Sequence, residues 1–195
     1  MESNNYIYII TDGSSISANN STGFDAAAAY LILDSNFKVI HKESILLKNH
    51  TNNYAEMYAI YKGTKYIVEK LLDKLELWDR IVIITDSQLC EKTLSEWMEK
   101  WLKNTDNEIL LNTTGKVKNQ ELIKSTYINI LTIKIKLLTY ICHINSHKTE
   151  KEIPNMYEKF TNKYQYVDIS LEEFNNIYKA NQIVDKLAYN ELNEK

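Results

Sequence analysis

Two short runs of β-branched and aromatic residues, each stopped by an aspartate, constrain this chain more than any other feature. Residues 6–10 read Tyr-Ile-Tyr-Ile-Ile and lead into Thr11-Asp12-Gly13-Ser14, and residues 81–85 read Ile-Val-Ile-Ile-Thr and lead into Asp86-Ser87-Gln88. Compact apolar runs of this length read as buried strands. Both aspartates are therefore expected at the carboxyl end of a strand, the first inside a turn from Thr11 to Ser14. Open α/β sheets place their ligands beyond those ends. If the two strands are parallel neighbours, Asp12 and Asp86 share one site.

The pattern between and beyond the runs supplies the remaining elements. Residues 26–33 and 38–47 read as two strands separated by the turn-forming Asp34-Ser35-Asn36. From Asn53 the spacing changes: Ile60, Gly63, Ile67 and Leu71 share one helical face, which predicts a helix to about Leu75. Short helices are expected through Leu94 and Trp97 to Leu102, a longer one over residues 120–133, and a strand over 135–144. Ser170 and Glu173 are spaced as a capping box opening a final helix that runs towards Leu192. Strands come first and then mix with helices, so the layer rules favour an α/β or α+β sheet covered by helices on both faces.

Composition narrows the setting. The chain has 195 residues, 44% of them apolar, enough to bury a core without staples. One proline, four glycines and no repeat or Gly/Ser linker leave nothing to divide it, so one domain over residues 1–195 is expected. Cys90 and Cys142 are neither closely paired nor beside ligand-spaced histidines, which argues against a disulfide framework and a zinc site. Residues 1–5 are polar and no apolar run approaches membrane length, so an intracellular, cytoplasmic protein without a membrane partner is expected. The net charge of −3 speaks against a basic phosphate-binding surface. Two divalent cations held by carboxylates would offset it, so net charge decides little.

The chemistry rests on carboxylates. Glu56, in the first turn of the helix between the two runs, is placed to join Asp12 and Asp86. Clustered carboxylates repel one another unless a cation neutralises them, and hard cations such as Mg²⁺ take oxygen ligands. Two such ions about 4 Å apart can activate water and stabilise the leaving oxygen of a phosphodiester. Singly, each residue has an ordinary use: an aspartate after a strand serves as turn residue or cap, and Glu56 complements a helix dipole. The pairing of motifs separates this chain from those cases.

Four motifs in order, Thr11-Asp12-Gly13-Ser14, Thr51-Asn52-Asn53-Tyr54-Ala55-Glu56, Thr85-Asp86-Ser87-Gln88 and Asn181-Gln182-Ile183-Val184-Asp185-Lys186-Leu187-Ala188, resemble those of the type 1 ribonuclease H family. The resemblance runs from about Tyr6 to Leu192. It implies an α/β fold with a five-stranded mixed sheet flanked by helices on both faces. It further implies that Asp12, Glu56, Asp86 and Asp185 hold two Mg²⁺ ions, for which Mn²⁺ can substitute, around the scissile phosphate of the RNA strand of an RNA–DNA hybrid. The expected products carry a 5′-phosphate and a 3′-hydroxyl. His147 best matches the family's mobile histidine, with His143 competing but assigned to the preceding strand. Asn52 and Gln88 match positions that contact RNA 2′-hydroxyls, which suits amides because they both donate and accept. Thr51 matches the phosphate pocket for the DNA strand, and Gly13, Ser14 and Asn181 fall on the substrate side of their motifs. Residues 97–124 resemble the extra helix and handle of some members, making Trp97, Lys100, Trp101, Lys103, Lys116 and Lys118 candidates for gripping the hybrid. Tryptophans four apart are, on their own, more often packing residues. A monomer is expected.

Two departures stand out. Between His147 and Asn181 lie 33 residues, with an insertion over about 148–180 that carries Tyr157, Phe160, Tyr164 and Tyr166. It suits base stacking, a lid or a partner site, and equally a tolerated surface loop with a little core of its own, which is the expectation adopted here. The loop after Gly13 lacks the family's glycines, and Asn19 or Asn20 stands in for its asparagine. A junction resolvase or other DNA nuclease of the same fold would keep the carboxylates without needing Asn52 or Gln88. A hybrid-binding module without catalysis would have no use for four clustered charges.

Overall fold

The computed structural model describes residues 5–17, 24–105, 109–146 and 148–193. Five strands form one mixed sheet: β1 (Tyr6–Ser17), β2 (Phe24–Leu33), β3 (Val39–Leu47), β4 (Arg80–Thr85) and, after a two-residue hairpin pair β5 (Leu111–Asn112) and β6 (Gly115–Lys116), β7 (Leu138–His143). The strand order is β3-β2-β1-β4-β7; β1–β2 and β2–β3 are antiparallel, whereas β1–β4 and β4–β7 are parallel. The helices are α1 (Asn52–Tyr66), α2 (Gln88–Lys92), α3 (Met98–Lys103), α4 (Gln120–Lys134), α5 (Ile153–Lys163) and α6 (Leu171–Asn193).

Alternation along the central strands sorts side chains between two faces. Ile7, Ile9, Ile81, Ile83 and Ile141 pack with Met57 and Ile60 of α1 and with Ile130 and Ile133 of α4. Tyr6, Tyr8, Ile10, Val82, Ile84 and Cys142 pack on the opposite face with Phe160 of α5 and Ile177, Val184 and Ala188 of α6. Both faces are covered, which is why these strands read as unbroken apolar runs. Ala26 to Ala29 of β2 are fully buried; Ala26 and Ala28 meet Ala55 and Ala59 of α1, while Ala27 and Ala29 belong to the α6 side. Small side chains there let helices approach from both sides.

Several boundaries differ from the sequence reading. The turn expected at Thr11–Ser14 is strand: β1 keeps pairing with β2 as far as Ser17 opposite Phe24. The aspartate marks only where the parallel neighbour β4 stops, a tertiary fact absent from the local pattern. The helix predicted from Asn53 to Leu75 is α-helical to Tyr66, widens to a π-helical stretch at Ile67–Leu71 and tightens to a 3₁₀ stretch at Leu72–Leu77. The strand predicted from residue 135 starts at Leu138, and Ile135 is 82% exposed. The stretch 148–180 is no loop with a separate core. Its residues Met156, Phe160, Tyr164, Val167, Ile169 and Phe174 are buried in the main α6-side core, and its last ten residues are the start of α6. Phe160 and Tyr164 are thereby packing residues, closed to base stacking.

Candidate active site

The site forms at one register row. Thr11 pairs with Thr85, and Thr85 with His143, so Asp12 and Asp86 each lie one residue past the end of the parallel pairing. Asp12 continues the alternation of Tyr8 and Ile10 and faces α6. Glu56 arrives from α1, just past its first turn, and Gly13 makes that possible. A Cβ at Gly13 would stand 2.4 Å from the Glu56 backbone nitrogen and 2.8 Å from the Ala55 carbonyl carbon. Thr51 caps α1, its hydroxyl accepting from the Tyr54 amide at 3.4 Å. Asn52 Nδ2 donates to Glu56 Oε1 at 3.1 Å, and the Gly13 amide donates to Asp12 Oδ1 at 2.7 Å.

One carboxylate oxygen from each of Asp12, Glu56 and Asp86 lies within 4.8 Å of the other two. Asp12 and Glu56 are buried. Burial, then the charges of Asp86 and Asp185, push the Asp12 carboxyl up to about 8. Burial, then Asp86 and Asp12, hold Glu56 well above the usual carboxylate range. Glu56 Oε2 and Asp86 Oδ1 are buried without a hydrogen-bond partner among the described residues. Buried acceptors without donors are costly, and a divalent cation held here would supply the missing partner. An all-carboxylate donor set suits Mg²⁺ or Mn²⁺. Asp185, on α6, lies outside the 4.8 Å group, although its charge acts on Asp12. With Ser146, Tyr178, Asn181, Gln182 and Lys186 it lines a cleft of about 200 Å³. Asn181 is buried and its Oδ1 has no partner among the described residues.

His143 closes β7, as the sequence reading assigns it. Its Nε2–H donates to the Asp86 carbonyl oxygen at 3.1 Å, and burial followed by the Lys163 charge lowers its pKa. His147, Asn19 and Asn20 lie outside the described residues. Ser14 is half-buried, and Gln88 is exposed in the first turn of α2. Thr51, Trp97, Trp101, Lys116 and Lys118 line one groove of about 520 Å³ beside the acidic centre's helix α1, whereas Lys100 and Lys103 are exposed and outside its lining. The Trp97 and Trp101 rings stand 5.8 Å apart, and Trp101 also packs on the core, so packing and groove lining coincide. Sequence reasoning missed Glu91, a buried carboxylate one turn into α2, because a lone helical glutamate carries no signal of burial.

A mixed sheet with three carboxylates gathered where the parallel pairing of its strands β1 and β4 stops defines the ribonuclease H-like class of α/β proteins. The RNase H family model matches residues 4–168, and the chain belongs to that family. Asp185 and Asn181 lie past the matched segment. Ribonuclease HI of Campylobacter jejuni subsp. jejuni serotype O:2 is 33% identical over 99 residues, 50% of this chain and 58% of that protein. The chain thus spans little more than half the length of the curated relatives it matches. Among solved structures, the RNase H domain of prototype foamy virus has a TM-score of 0.65 at 20% identity, covering 96% of this chain and 94% of that domain. RNase H1 of Halobacterium salinarum has a TM-score of 0.54 at 16% identity, covering 97% and 99%. These two likenesses establish the shared fold. No helix among the described residues is long and apolar enough to cross a membrane.

Proposed function

We propose that this chain is a metal-dependent endonuclease that hydrolyses the RNA strand of RNA–DNA hybrids, leaving 5′-phosphate and 3′-hydroxyl ends. The observation that carries the reading is the trio of carboxylate oxygens within 4.8 Å of one another, two of whose partners hold buried oxygens without a donor. Asp12, Glu56 and Asp86 are the residues to hold Mg²⁺, or Mn²⁺ in its place, with Asp185 joining from α6. Two such ions supply an activated water and neutralise charge on the scissile phosphate. The chain's own residues do the rest. Asn52 orients Glu56 through its amide N–H and keeps its carbonyl oxygen for a ribose 2′-hydroxyl, and the exposed Gln88 amide can both donate to and accept from the next one. Thr51, Trp97, Trp101, Lys116 and Lys118 offer one groove for the DNA strand, with lysines for its phosphates and indole faces for its sugars. His147 is the residue proposed to assist proton transfer or product release.

The test is incubation of the purified protein and of Asp86→Asn with Mg²⁺ and end-labelled hybrid, RNA duplex and DNA duplex. Cleavage is expected only in the RNA of the hybrid, and the variant is expected to lose it by at least ~10³-fold, since a ligand of the reaction centre is removed. DNA cleavage would instead identify a nuclease of the resolvase type. Metal-independent binding without cleavage would identify a binding module.

A further inference from the structure

Behind Asp86 lies a polar network that the acidic centre does not use. Glu91 on α2 is 3% exposed, and its Oε1 accepts from the Tyr164 hydroxyl and the Lys163 ammonium, both at 3.2 Å. The Tyr164 hydroxyl oxygen accepts in turn from the His143 amide at 2.8 Å, and His143 Nε2–H donates to the Asp86 carbonyl at 3.1 Å. Four contacts therefore join α2, the end of α5, the end of β7 and the main chain of a carboxylate residue of the centre.

Two observations indicate that this network fixes geometry. A buried carboxylate is an expensive way to gain stability, because a well-packed apolar side chain does as well or better, whereas directional bonds specify one arrangement. Packing, moreover, does not confine these groups from every side. A cavity of about 110 Å³ is lined by His143, Tyr164, Phe160 and Phe174. Without the network, β7 and α5 have room to shift against the strand end that carries Asp86.

We infer that Glu91 and Tyr164 are positioning residues for Asp86, holding its main chain so that its carboxylate stays grouped with those of Asp12 and Glu56. Helix α5 thereby becomes part of the site's support. The inference rests on reading the acidic centre as a metal site, and is independent of which nucleic acid is cut.

The test compares the full chain with Tyr164→Phe, Glu91→Leu and the conservative Glu91→Gln. Calorimetric Mn²⁺ titration is combined with urea denaturation in chelator and with hybrid cleavage. Tyr164→Phe and Glu91→Leu are expected to bind Mn²⁺ at least ~10-fold more weakly, the usual effect of losing an outer-shell partner. Glu91→Gln keeps an oxygen for the Tyr164 hydroxyl and is expected to stay within about threefold of the parent. The kcat for hybrid should fall in parallel while KM holds, since Glu91 and Tyr164 do not line the groove. Unchanged Mn²⁺ affinity in Tyr164→Phe and Glu91→Leu, with only stability lowered, overturns the inference. Should Glu91→Leu fail to fold, Tyr164→Phe decides, because it removes one oxygen and keeps the ring packed on Phe160. Wild-type protein that binds Mn²⁺ but leaves hybrid uncut overturns the proposed substrate alone, and the titrations still decide the positioning role. Wild-type protein that binds no Mn²⁺ overturns both.

Discussion

At the scale of single residues, the acidic centre is arranged against its own stability. The Asp12 carboxyl, ordinarily at 3.8, is pushed up to about 8 by burial and by Asp86 and Asp185. Between those values the folded chain holds a proton that the unfolded chain has lost, so stability falls as pH rises through the window. In chelator, the melting temperature is expected to drop from pH 5 to pH 8. Mg²⁺ should reverse the drop at pH 8, and Asp12→Asn should flatten it; an unchanged slope in Asp12→Asn, followed by circular dichroism, would sink this account. Gly13 makes a second prediction at this scale. Its missing Cβ is the space occupied by the Glu56 backbone, which cannot rotate away as a side chain would. Gly13→Ala is therefore expected to cost about 1–3 kcal/mol through overpacking. It should also lower cleavage by displacing Glu56, as urea denaturation and kinetics on one preparation would reveal.

Among the elements, the β5–β6 hairpin and α1 face one another across the groove that contains Thr51, Lys116 and Lys118. If the hairpin grips phosphates, Lys116→Ala and Lys118→Ala should each weaken hybrid binding and each reduce the slope of log affinity against log salt by about 1. Anisotropy titrations at several salt concentrations measure that slope, and a slope unmoved by either change removes the hairpin from the interface. In the sequence, Glu99, Asp106, Glu108 and Glu121 nearly cancel the lysines of this region. Only the hairpin's placement against Trp97 and Trp101 brings Lys116 and Lys118 to one wall, while Lys100 and Lys103 of the same charge project elsewhere.

For the molecule as a whole, α5 is a structural part of the core. Phe160 is 4% exposed and packs with tilted rings against Tyr164 and Phe174 in the core shared by β1, β4 and α6. Phe160→Ala is expected to cost about 3–5 kcal/mol, the cost of a large core truncation. Loss of under ~1 kcal/mol in chemical denaturation would mark the segment as peripheral. The sequence by itself determined the sheet's central strands, the capped start of α6, and the trio of Asp12, Glu56 and Asp86. Each rests on local information: β-branched runs, a Ser170–Glu173 capping box made as predicted, and spacing that repeats known motifs. Tertiary structure decided the rest. It carried β1 through Asp12 because β2 continues beside it after β4 has stopped. It buried Glu91 and drew residues 148–180 into the core. Such outcomes depend on which surfaces meet, and a helical glutamate or an amphipathic segment has the same local pattern whether solvent or another element covers it.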